Sequence, residues 1–82
     1  MDANEERMLT LVKKNVLCML NDRNIKGNDS EIELTNAHFM WGVQRGDIIV
    51  VVYKTIKQEV FAELEELRDK GISHCIVICW TR

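Results

Sequence analysis

The stretch that most restricts this chain is Ile48 to Tyr53, IIVVVY, an unbroken β-branched run closed by a tyrosine. β-Branched side chains lose rotamer freedom in a helix and pack well on a pleated surface, so the run reads as a strand. A strand with one wet face would alternate apolar and polar residues. This one does not, and a continuous run of this kind expects cover on both faces, as in parallel α/β sheets. Cys75 to Trp80, CIVICW, repeats the pattern. Between the two runs, Ile56, Val60, Leu64 and Leu67 recur at helical spacing. Thr55 is placed to cap that helix, with Gln58 completing a capping box, and Gly71 stands where a left-handed glycine ends helices. A strand over 47–53, a helix over 55–70 and a strand over 72–80 predict a right-handed βαβ unit with parallel strands.

Two strands do not make a stable sheet. Further pairing is expected from residues 21–46, from a longer parent chain, or from a partner, which could be an identical chain. Upstream, Met8, Leu11, Val12, Val16, Met19 and Leu20 mark one face of an amphipathic helix over 5–20, after a frayed tail at 1–4. NDRNIKGNDS, residues 21–30, is a breaker cluster. Ser30 then opens SEIE, a capping-box pattern that predicts a short helix from Glu31 to about Phe39, and WGVQRGD reads as a loop or turn. The expected architecture is a single α/β domain over 1–82: an N-terminal amphipathic helix plus the βαβ unit, in a small two- or three-layer sandwich.

With 11 basic and 13 acidic residues, the net charge of −2 supplies no global field toward nucleic acid or anionic membrane. The longest apolar run is far too short to span a bilayer. The start, MDANEERM, is acidic and polar, unlike a signal peptide, so an intracellular, reducing setting is expected. The three cysteines then read as free thiols, buried as small hydrophobes. Cys75 and Cys79 would lie on one strand face roughly 13 Å apart, too far for one metal or a disulfide. No catalytic residue, metal ligand or cofactor is expected.

The candidate site is the turn after the first strand. Lys54, Thr55 and Lys57 would stand at a helix N-terminus beyond a strand's carboxyl end, where anions bind in open α/β sheets. A phosphorylated ligand or duplex DNA could contact them. A bound anion would offset the unfavourable placement of lysines against the helix dipole, but a nearby carboxylate such as Glu59 or Asp47 would do so equally. A nuclease core would need a carboxylate two residues before the lysine to hold a metal, and Val52 and Thr55 stand there instead. Glu59, Glu63 and Glu66 form a ridge on the last helix that reads as a solvated face.

The opening helix RMLTLVKKNVLCMLNDRNI, with its Asp22-Arg23 pair, and YKTIKQEV followed by GISHCIVIC together resemble the N-terminal, jaw-like domain of the shared subunit five of eukaryotic nuclear RNA polymerases. Lys54, Thr55, Ile56 and Lys57 match that family's strand-to-helix turn, whereas Asn24-Ile25 departs from its Gly-aromatic pair and residues 28–45 are shorter than its hairpin-bearing segment. The resemblance implies a nuclease-like fold without catalysis, contacts to other protein subunits and to downstream DNA, and a place in the nucleus.

Overall fold

The computed structural model of the protein describes residues 2–81. Helix α1 (Ala3–Asp22) is followed by strands β1 (Asp29–Ile32), β2 (Phe39–Arg45) and β3 (Ile48–Tyr53), helix α2 (Gln58–Asp69) and strand β4 (His74–Cys79). The four strands form one sheet in the order β1-β2-β3-β4. β1, β2 and β3 pair antiparallel, and β3 pairs with β4 in parallel, so the expected βαβ unit is present.

β3 is the axis of the molecule. Val50, Val51, Val52 and Tyr53 are all 0 % exposed, because successive side chains point to opposite faces and each face carries a helix. Val50 and Val52 join Trp41, Val43 and the Leu9, Val16 and Leu20 side chains of α1. Ile49, Val51 and Tyr53 pack with Val60 and Leu67 of α2. The helices therefore cover opposite faces of the sheet, in three layers.

Two expectations about the ends of elements are corrected. Residues 3 and 4 are not a frayed tail: α1 starts at Ala3, where the Asp2 carboxylate accepts the Glu5 amide at 2.8 Å and relieves one of the unpaired N–H groups of the first turn. Met1 lies outside the described residues. Thr55 does not cap α2. Lys57 occupies the N-cap without a side-chain bond, and Thr55 Oγ1 instead lies 3.3 Å from Thr81 Oγ1. Thr81 is tied to the same turn through its N–H and hydroxyl, both donated to the Lys54 carbonyl, so Thr55 is engaged by the end of β4. Gly71, by contrast, does follow the helix with a φ of 91°, as expected of a left-handed terminator.

The largest correction concerns residues 21–46. No short helix forms over 31–39, and of WGVQRGD only Gly46-Asp47 is a turn, Trp41 to Arg45 being strand. Ser30, Glu31 and Ile32 pair with Gln44, Val43 and Gly42, building a hairpin on the sheet. The capping-box letters lose to an alternation of period two: Ile32 and Leu34 pack with the α2-side core, and Glu31 accepts a hydrogen bond from the Trp41 indole at 3.2 Å. The missing strands thus come from the chain itself. Gly46, at φ 62°, makes the two-residue turn between Arg45 and Ile48. Gly42 allows β1 to close over β2, since a Cβ there would meet Ile32 Cγ1 at 2.7 Å.

α1 is amphipathic as read, but its dry stripe is narrower. Leu9, Val16 and Leu20 are buried, whereas Met8 and Leu11 are exposed. Lys13 lies over the Trp41 ring, 5.6 Å from its centroid, covering the buried indole with a cation. No helix among the described residues is long and apolar enough to cross a membrane.

Candidate functional site

The Lys54–Lys57 turn sits where sequence reasoning places it, beyond the carboxyl end of β3. The backbone there is firmly held: the Lys54 amide donates to the His38 carbonyl at 2.7 Å, and the Lys54 carbonyl accepts from Thr81. The two lysines are not gathered into one cradle. Lys54 Nζ approaches Glu5 Oε1 of α1 at 3.4 Å, while Lys57 is the exposed N-cap of α2 on the other side of the sheet. The ion pair is half exposed and, like other surface pairs, contributes little to stability. Asp2 and Glu6 flank Glu5 in the first turn of α1, so the positive charge of Lys54 faces an acidic helix start. Thr55, held against Thr81, is half-buried.

Below this turn lies a polar network that the sequence reading missed. Glu63 is not on a solvated ridge. Its Oε1 accepts the Tyr53 hydroxyl at 2.6 Å, and its Oε2 accepts the Asn36 amide at 3.2 Å. Asn36 Oδ1 in turn accepts the His38 amide at 2.8 Å, which holds the loop entering β2. A signal for this was available. A tyrosine closing an aliphatic strand needs a partner for its hydroxyl. Position 63 falls on the same helical face as Val60, Leu64 and Leu67, where it is the one carboxylate able to meet it.

Burial raises the Tyr53 phenol far above its usual range, and the Glu63 carboxylate pushes it the same way. Because the folded pKa is raised, the stabilisation is full below the unfolded tyrosine pKa of about 10 and declines as pH climbs toward the folded value. The decline approaches about 1.4 kcal/mol per pH unit. Tyr53 is the only tyrosine of the chain, so its phenolate absorbance reports directly. That absorbance is expected to appear together with the loss of circular dichroism above about pH 10 and not before it. Phenolate formed in a chain of unchanged dichroism would refute the assignment.

A second network anchors the far end of the sheet. Arg45, 6 % exposed, donates to both carboxylate oxygens of Asp29, to Asn21 Oδ1 at 2.7 Å and to the Ile25 carbonyl at 3.2 Å. One guanidinium thereby joins the end of α1, the loop after it and β1. Its hydrogen bonds hold the Asp29 carboxyl below the usual carboxylate range and raise the Arg45 pKa.

The cysteines differ from expectation. Cys18, Cys75 and Cys79 are free thiols as read, but all are exposed. The reason for the latter two is that β4 is an edge strand, with β3 on one side and no strand among the described residues on the other. The Cys75 thiol borders a groove of ≈ 360 Å³ lined by Phe61, Leu64, Arg68 and Ile72, where desolvation raises its pKa. Among the described residues, no group of three or more His, Cys, Asp or Glu side chains is arranged to hold a metal ion. No family model matches this chain, and no curated protein or solved structure matches it either.

Proposed function

We propose that the chain is a non-catalytic interaction module of the transcription machinery, similar to the jaw domain of the shared subunit of nuclear RNA polymerases. The observation that supports this most is the order of parts: amphipathic α1 ending at Asp22-Arg23, a hairpin, the buried strand β3, the Lys54-Thr55-Ile56-Lys57 turn, α2 and the parallel strand β4. A hairpin occupies the segment where that family carries its own, although the letters there do not match. In this reading the module meets other polymerase subunits through its surface and touches downstream DNA near Lys54 and Lys57, inside the nucleus.

The test is purification of the native chain from its own cells. Recovery with the large polymerase subunits in constant ratio supports the reading, and recovery without them defeats it. The DNA contact has its own expectation. Binding to a short duplex should be weak and salt-sensitive. Lys54→Glu/Lys57→Glu should abolish it and, if both lysines meet phosphates, remove about 1.8 from the slope of log K against log salt. Equal binding by the double variant would place the DNA elsewhere. Lys54 must leave Glu5 to reach a phosphate, so Glu5→Gln should tighten the same complex.

A further inference from the structure

The open side of β4 is unlike the other edge of the sheet. The His74 amide donates to the Asp47 carbonyl at 3.4 Å and the Trp80 amide to the Tyr53 carbonyl at 2.7 Å, so the even-numbered residues bond toward β3. By the alternation of a strand, Cys75, Val77 and Cys79 direct their backbone N–H and C=O groups to the open edge. Sheet proteins blunt such edges with charges, proline, bulges or short length. β1 at the opposite edge is four residues long and carries Asp29 and Glu31, with Glu33 just beyond. β4 has none of these devices: from Cys75 to Trp80 there is no charged residue and no proline, and its pairing with β3 runs without a register shift. Beside it, Val77 is 39 % exposed and Phe61 of α2 is 59 % exposed.

We propose that β4 pairs antiparallel with β4 of a second copy of this chain, centred on Val77, so that the two sheets continue into one. The identical strand is the occupant this edge fits. The three outward-bonding residues are spaced evenly about Val77, so a two-fold axis there sets Val77 opposite Val77 and Cys75 opposite Cys79 of the second copy. Each opposed pair exchanges two backbone hydrogen bonds. The same register sets Ser73, whose hydroxyl donates to the Asp47 carboxylate at 2.7 Å, opposite Thr81, whose hydroxyl donates to the Lys54 carbonyl, so no like charges of the edge strands meet. The axis stands normal to the sheet, so both α1 helices stay on one face and both α2 helices on the other, and the isologous interface closes on itself. This pairing is independent of the polymerase reading.

The test uses the full chain carrying Cys18→Ser. Light scattering over the micromolar range is expected to show a monomer–dimer equilibrium. Val77→Lys puts like charges directly opposite each other and should weaken dimerisation about tenfold or more. The edge position of β4 should let that variant keep the wild-type dichroism. Opposed residues of a hydrogen-bonded pair have Cα atoms about 5.5 Å apart, within disulfide reach. Oxidation of the dimer with diamide, which takes up the two protons and two electrons released, should therefore yield an interchain Cys75–Cys79 link in peptide maps. This readout stands even if Val77→Lys does not fold. A chain that remains monomeric throughout overturns the proposal, even if it still joins polymerase. So does a dimer that links Cys75 to Cys75 or resists Val77→Lys, because either requires another register or another surface.

Discussion

Tyr53→Ala is expected to lose about 3–5 kcal/mol of stability, the range for removing a buried aromatic side chain. A domain of 82 residues has about 4–12 kcal/mol in total, so the variant loses a large share of its stability. Three losses combine. The ring is 0 % exposed, and its removal opens a cavity between β3 and α2. The Phe39 ring, which meets it edge-on at 5.9 Å, loses its contact. Glu63 loses the hydroxyl donor and is left facing the core with the Asn36 amide. Tyr53→Phe separates these, because it keeps the ring and removes only the hydrogen bond to a charged acceptor, costing about 1.5–3 kcal/mol. Urea titration followed by tryptophan fluorescence measures both. A loss below about 1 kcal/mol in the alanine variant would mean that Tyr53 does not fill the space it occupies in the structure.

Tyr53 also shows what a sequence can disclose. Its strand was legible because six β-branched or aromatic residues in a row satisfy one geometry. The parallel partner was legible for the same reason, and the helix between them through the spacing of Val60, Leu64 and Leu67. β1 was not, because its stability comes from its neighbour. Asp29, Ser30 and Glu31 are poor strand formers, held by pairing to β2 and by the Arg45 guanidinium, and SEIE satisfies the rules for a helix start equally well. Tertiary contact overrides local preference there. Thr55 has the same history: it could have capped α2, but Thr81, distant in sequence, engages it. Cys75 and Cys79 read as buried strand residues, since a continuous apolar run does not reveal whether its strand is central or at an edge. That ambiguity matters most for function, because it hid the open side of β4.

Arg45 should be the most disruptive polar position to change. Replacing it by methionine keeps much of the volume but removes every bond to Asp29, Asn21 and Ile25. The Asn21 side chain and the Ile25 carbonyl then lose a donor in a part-buried setting, where an unmade hydrogen bond costs more than a made one contributes. The effect should be local first. β1 is a short edge strand, and the loop over 23–28 has Asn24 at φ 57° and Gly27 at φ 127°, conformations with little stabilisation of their own. Amide exchange across β1 and this loop is expected to accelerate about tenfold or more in Arg45→Met, while β3 amides follow only the smaller global loss. Arg45→Lys should recover part of the protection, because an ammonium can meet one Asp29 oxygen but cannot span the fork to Asn21 and Ile25. Acid should reproduce the effect in the wild type. The folded Asp29 pKa is lowered, so its contribution is complete above the unfolded aspartate pKa of about 3.9 and disappears as pH falls through the folded value. Protection of β1 is therefore expected to fall below about pH 4, with no such step in Arg45→Met. Uniform exchange across β1 and β3 in both cases would show that the hairpin and the central strand open together, and that Arg45 does not hold β1 separately.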